Sequence, residues 1–214
     1  MQELAPLNNE QLLKINEQMI KSVCVIDLGN LKGTGFFCKI PFPDNNNLLT
    51  TLITCNHILN EEYLNKNKSI LIFSNNLNEK REIYIEDRIK YTNKEYDITI
   101  IEVKSEKDHI YNFLELEKFE SEEKLIGLSV YLMQYAKGEN CLVSFGNIKR
   151  IKDKKIIYFC WTTFGSAGGP IISCLNHKVI GVHFGAIKKD GKEIFKKLGT
   201  LLSSVLPEFQ KEKK

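Results

Sequence analysis

The first twenty residues lack the apolar centre of an export signal, because Glu3, Glu10 and Glu17 interrupt them. No stretch approaches the roughly 20 apolar residues that a membrane span needs. Neither sign of charge dominates. Lys and Arg number 30 against 27 Asp and Glu, and a net charge of +3 requires neither a nucleic-acid nor a membrane partner. The six cysteines (Cys24, Cys38, Cys55, Cys141, Cys160 and Cys174) contain no Cys-x-x-Cys pair, which argues against a structural zinc site. Most sit in apolar runs such as Val23-Cys24-Val25, so they are expected to be reduced, buried and structural. No internal repeat occurs at a fixed period, and the excess of Asn and Lys is compositional. These absences lead to the expectation of a soluble, cytoplasmic chain with no metal and no cofactor.

What is present is a chain of 214 residues, 43% hydrophobic and 27% charged, suited to one domain or two small subdomains sharing a cleft. Short β-rich runs alternate with polar turns, which favours an all-β fold over α/β. A first set covers 22–26, 35–40, 49–55, 69–73, 81–85 and 98–103. The turns between these runs carry Pro41, Pro43, Asp44 and the Asn-rich stretches 45–47 and 75–78. A second set covers 128–134, 141–151, 156–161, 169–173 and 178–184. The charged segment 105–124 reads as the connection between the two sets. Leu12, Leu13, Ile15 and Met19 recur at roughly helical spacing, so a helix is predicted over 8–20. A second is predicted over 201–209, ending near Pro207.

Three short strings carry chemistry. Gly165-Ser166-Ala167-Gly168-Gly169-Pro170 is a turn in which glycines allow tight bending and close backbone approach. Thr54-Cys55-Asn56-His57-Ile58-Leu59 puts a histidine just after an apolar run. Tyr96-Asp97-Ile98-Thr99-Ile100-Ile101 opens an apolar strand with a carboxylate, which is costly to bury unless hydrogen-bonded. Taken singly, each has a plain structural explanation: a Gly-rich connection, a core histidine, a turn aspartate. Taken in order, with Gly33-Thr34-Gly35-Phe36 before them, they resemble the trypsin-like serine protease superfamily. The turn matches that family's Gly-x-Ser-Gly-Gly-Pro, with Ala167 at the nucleophile position and Ser166 at the variable one. The order His57, Asp97, position 167 is the chymotrypsin order. Glu102 and Asp87 are weaker candidates for the carboxylate.

The resemblance implies two six-stranded antiparallel β-barrels with an N-terminal helix and a short C-terminal helix. The divisions would be the helix over 1–20, a first barrel over 21–105, a connection over 106–127, a second barrel over 128–200 and a C-terminal tail over 201–214. It also implies an oxyanion hole made by the N–H groups of Gly165 and Ala167. Thr162, His183 and Gly185 match the substrate pocket of relatives that recognise Gln or Glu, and no acidic residue marks a pocket for Lys or Arg. The alternative is that His183 packs against Tyr158 and fills the pocket. An Ile-Val-Gly-Gly start is missing and the cysteines near His57 lack the secreted family's spacing, so the resemblance is to an intracellular branch. The implied partner is a peptide or protein substrate, with a regulatory protein also conceivable. The basic stretches 149–155 and 188–192 read as solvated hairpin tips at Asp153 and at Asp190-Gly191. Ala167 has two explanations: an engineered replacement of serine, which the retained His57 and Asp97 favour, or a natural pseudoprotease that binds peptides.

Overall fold

The computed structural model describes residues 7–74, 78–189 and 192–213, with the side chains of 188, 189 and 192–195 left aside. The expected turns at 75–77 and at Asp190-Gly191 lie outside the described residues. The chain opens with helix α1 (Asn9–Ser22), started by a reciprocal capping box between Asn8 and Gln11. Its buried face matches the predicted apolar one only in part, through Ile15 and the partly buried Met19. Ile15, Gln18 and Ser22 face inward, whereas Leu12 and Leu13 are exposed. The sheet beneath α1 selects the face, and a buried Gln18 can serve there because its amide donates to the His177 carbonyl at 2.8 Å and its oxygen accepts from the Tyr131 hydroxyl at 2.6 Å.

The N-terminal half is a curled sheet of eight strands. In chain order they are β1 (Val23–Asp27), β2 (Lys32–Pro41), β3 (Leu48–Thr54), β4 (Ser69–Ser74), β5 (Glu79–Tyr84), β6 (Lys90–Asn93), β7 (Ile98–Glu102) and the short β8 (Leu114–Glu115). They pair as β5-β4-β1-β2-β3-β7-β6, with β8 parallel to β2. The sheet curls without a β5–β6 ladder among the described residues, so it is a half-barrel where a six-stranded ring was expected. Helix α2 (Glu61–Lys66), capped by Asn60, follows the histidine segment. Helix α3 (Ser105–Asp108) and β8 give structure to the connection. Arg88 and Asp108 form a buried bidentate pair there, with the Arg88 Nη2 to Asp108 Oδ1 distance at 2.7 Å.

The C-terminal half closes into a six-stranded barrel ordered β10-β11-β14-β13-β12-β9. Its strands are β9 (Ser129–Ala136), β10 (Asn140–Lys152), β11 (Lys155–Phe159), β12 (Pro170–Ser173), β13 (Val179–Lys189) and β14 (Lys192–Leu201). The sixth strand, β14, has no counterpart among the predicted runs. Asp153 and Lys154 both take positive φ at the β10–β11 tip, as a tight hairpin turn requires. Lys154 is more than a solvated tip residue, since its ammonium bridges Glu208 and the Tyr96 hydroxyl at 2.6 Å each.

Helix α4 (Leu202–Glu212) runs through Pro207 and does not stop at it. An interior proline costs about 3 kcal/mol. Val205, Leu206 and Phe209 are buried, and each such side chain contributes about 1.5–3 kcal/mol, which offsets the break. Phe209 packs on Phe42 and Tyr91 of the N-terminal half, at 4.9 and 5.5 Å between ring centroids. All six cysteines are unpaired and five are buried, as their apolar settings predicted. No helix among the described residues is long and apolar enough to cross a membrane. An all-β fold of one closed barrel and one curled half-barrel, with a helix at each end, is therefore the architecture of the chain.

Candidate active site

Strand pairing brings the histidine and aspartate together. β3 and β7 run antiparallel with Thr54 opposite Thr99, so the end of β3 lies beside the start of β7. His57 follows the first and Asp97 precedes the second. One carboxylate oxygen of Asp97 accepts the His57 backbone N–H at 2.8 Å, and the other lies 2.6 Å from Nδ1. A carboxylate can only accept here, so Nδ1 carries the proton and Nε2 is left as a base. Asp97 adopts φ +48°, a strained left-handed conformation that aims its side chain back at His57. The ring is about half exposed, which leaves Nε2 open to a ligand. Glu102 and Asp87 lie elsewhere: the Glu102 carboxylate accepts from the Ile89 N–H, and the Asp87 carbonyl accepts from Lys104.

Residues 162–169 cross from the second barrel to the same cleft. Gly165 and Gly168 both have φ +89°, and their positions tolerate no side chain. A Cβ on Gly168 would fall 1.9 Å from the Thr34 carbonyl oxygen, and one on Gly165 would fall 2.5 Å from that of Tyr135. Ser166 faces inward and is 1% exposed. Its hydroxyl contacts the Gln134 amide oxygen and the Thr163 carbonyl, and accepts the Thr163 N–H at 2.9 Å. It fastens the turn and does not face the cleft. Ala167 lines the cleft instead, together with His57, Thr162, Gly165, His183 and Gly185. The cleft has a volume of about 400 Å³. The N–H groups of Gly165 and Ala167 donate to no protein group among the described residues.

Cys55 lies beneath His57, and burial pushes its thiol far above the usual range. Its Sγ–H donates to the His183 carbonyl at 3.2 Å. Cys55 Sγ, the His57 ring and the Asp97 carboxylate lie within 4.8 Å of one another, a donor set of the kind that holds a soft cation. Those atoms are already engaged by the Asp97–His57 bond and by the thiol's carbonyl partner.

His183 lies on β13, buried, with Nδ1 2.8 Å from the Tyr158 hydroxyl and 3.1 Å from the Leu198 carbonyl. Burial lowers its pKa to about 3. The folded ring therefore stays neutral while an unfolded histidine takes up a proton below about pH 6.5. Stability should fall as pH drops through that window, by up to about 1.4 kcal/mol per pH unit from this one group. His183→Gln is expected to flatten the slope. Urea midpoints of both chains at about pH 7 and about pH 5 check this, and equal slopes would contradict it. Sequence reasoning offered Tyr158 as the neighbour of His183, as found here, but missed Gln134 and the contacts of Thr34. Only Thr34 left a signal, as a β-branched residue held between two glycines.

Residues 33–182 match the trypsin-like peptidase domain. No curated protein matches the chain by sequence. Solved structures match over nearly its whole length. The inactive form of the Rv3671c protease of M. tuberculosis superposes with a TM-score of 0.68 at 17% identity, covering 99% of this chain and 98% of that one. A serine-to-alanine mutant of Rv3671c in the inactive form gives 0.67 at 18% identity, covering 97% and 94%. The serine endoprotease of Yersinia pestis gives 0.67 at 12% identity, covering 98% and 69%. At these identities the likeness is one of fold, and it is the fold that serine proteases use. With the domain match spanning more than two thirds of its length, the chain belongs to the trypsin-like peptidase family.

Proposed function

We propose that the scaffold is a serine endopeptidase with His57 as general base, Asp97 as its orienting carboxylate and position 167 as the nucleophile. The observation that carries this is the two-point grip of Asp97 on His57 at the mouth of the cleft lined by Ala167. With serine at 167, His57 Nε2 would take the hydroxyl proton as the oxygen attacks the peptide carbonyl. The N–H groups of Gly165 and Ala167 would receive the developing oxyanion. With alanine there, a methyl group cannot attack, and the chain binds a peptide along the cleft without cutting it. The intact His57–Asp97 pair favours reading Ala167 as an engineered substitution over a natural pseudoprotease.

The pocket favours glutamine at the cleaved position. The buried Tyr158 hydroxyl has the His183 Nδ1 as its polar contact. If Tyr158 donates to Nδ1, its proton is satisfied and the ring's proton sits on Nε2, free to donate into the cleft. In the opposite tautomer Nδ1–H donates to the Leu198 carbonyl at 3.1 Å and Nε2 is an acceptor, for which the amide NH₂ of Gln is again the match. A neutral donor suits the amide oxygen of Gln, whereas a Glu carboxylate would be desolvated beside an uncharged ring. Thr162, whose hydroxyl has no partner among the described residues, lines the same pocket and offers a second polar contact. The pocket contains no acidic side chain for Lys or Arg. Ala167→Ser profiled on a peptide library near neutral pH is expected to cleave after Gln, with Glu disfavoured by about tenfold or more. Dominant cleavage after Lys, Arg or Leu would contradict this pocket assignment.

A further inference from the structure

We infer that Thr34 is a positioning residue for the oxyanion turn, an inference that rests on the peptidase reading of the same site. Thr34 is fully buried on β2, in the half of the molecule that carries His57. Each of its polar atoms is committed. Its N–H donates to the Ala167 carbonyl at 2.8 Å, and its carbonyl accepts the Thr54 hydroxyl at 2.8 Å. Its hydroxyl accepts the Tyr135 N–H at 2.9 Å and lies 2.7 Å from the Gly165 carbonyl. The proton assignment follows without ambiguity. A backbone N–H can only donate and a carbonyl can only accept, so the single Thr34 proton goes to Gly165.

That bond fixes the peptide between the two proposed oxyanion donors. In a planar trans peptide the N–H points opposite the C=O. Holding the Gly165 carbonyl towards Thr34 turns the Ser166 N–H the other way, where it meets the Thr163 carbonyl at 3.2 Å. The flanking peptides are held by other groups: Lys137 N–H on the Phe164 carbonyl at 2.7 Å, and Gly169 N–H on the Ser166 carbonyl at 3.0 Å. These two orient the Gly165 and Ala167 N–H groups. The middle peptide is held at both ends, its N–H by the Thr163 carbonyl and its carbonyl by the Thr34 hydroxyl, the shorter of the two contacts and the one that reaches across from the other half of the molecule. Through Thr54, which ends β3 just before the His57 segment, the same residue ties the turn to the base.

The test separates the hydroxyl from the side-chain shape. Thr34→Val keeps the shape and loses the hydroxyl, whereas Thr34→Ser keeps the hydroxyl. In the chain with Ala167, the Ser166 amide should exchange with solvent about tenfold faster in Thr34→Val and within about twofold of the parent in Thr34→Ser, with β11 amides unchanged. In the Ala167→Ser background, kcat per fluorophosphonate-titrated site should fall about 10–100-fold in Thr34→Val with KM within about threefold, and Thr34→Ser should restore it. Unchanged turn amides, or an unchanged kcat per titrated site, would each overturn the inference. An Ala167→Ser chain that cuts nothing counts against the peptidase reading by itself, and the amide measurement still decides whether Thr34 holds the turn.

Discussion

Ala167→Ser is expected to raise peptide hydrolysis by on the order of a million-fold over the chain with alanine, the scale on which a triad nucleophile acts. The change adds one oxygen at a position already lining the cleft with His57. The machinery around it stands without that oxygen. Asp97 holds the His57 ring in the tautomer that leaves Nε2 basic, Ser166 fastens the turn from inside, and the Gly165 and Ala167 N–H groups make no internal bond among the described residues. Residual turnover in the alanine chain should be limited to what the oxyanion donors and peptide binding supply. Steady-state hydrolysis of a Gln-containing peptide by the two chains measures the difference. A ratio near one would contradict the assignment of position 167.

In the restored enzyme, Asp97→Asn is expected to lower kcat by about 10⁴-fold with little change in fold. Asp97 uses both oxygens as acceptors, one for the His57 backbone N–H and one for Nδ1–H. An asparagine keeps only one acceptor. If its oxygen serves the backbone N–H, its NH₂ faces Nδ1 and favours the tautomer with the proton on Nε2. That ring cannot take a proton from the attacking hydroxyl. The same substitution in a protein where Asp97 merely capped a turn would leave catalysis almost untouched. Single-turnover kinetics with unfolding curves for both chains separate the two cases, and a loss of less than about tenfold would return Asp97 to a structural role.

The strings that announce the site are local, which is why they were legible before the fold was known. The Gly165–Pro170 turn, His57 after an apolar run and Asp97 before one each depend on a few adjacent residues. What the sequence concealed is non-local. β14 is a strand because it closes the barrel between β11 and β13, while its own Lys196-Lys197 pair reads as surface. Pro207 stops helices by local rules, yet α4 continues because Phe209 is buried against Phe42 and Tyr91. The inward face of α1 includes a glutamine that no hydrophobic pattern would choose, because its partners Tyr131 and His177 are more than a hundred residues away. Thr34 is hidden for the same reason. Its contacts at 135, 165 and 167 are brought to it only by the packing of the two halves. The half-barrel is a subtler case, since alternation specifies strands but not whether the last one meets the first.

In the proposed scaffold, position 167 is the nucleophile and His57 its base. Intact-mass analysis after treatment with a fluorophosphonate tests it most directly. A single adduct is expected on Ala167→Ser, mapped by peptide sequencing to residue 167, with no adduct on the alanine chain and loss of labelling when His57→Ala is added. An adduct on Ser166, or no adduct on a folded Ala167→Ser chain, would contradict it.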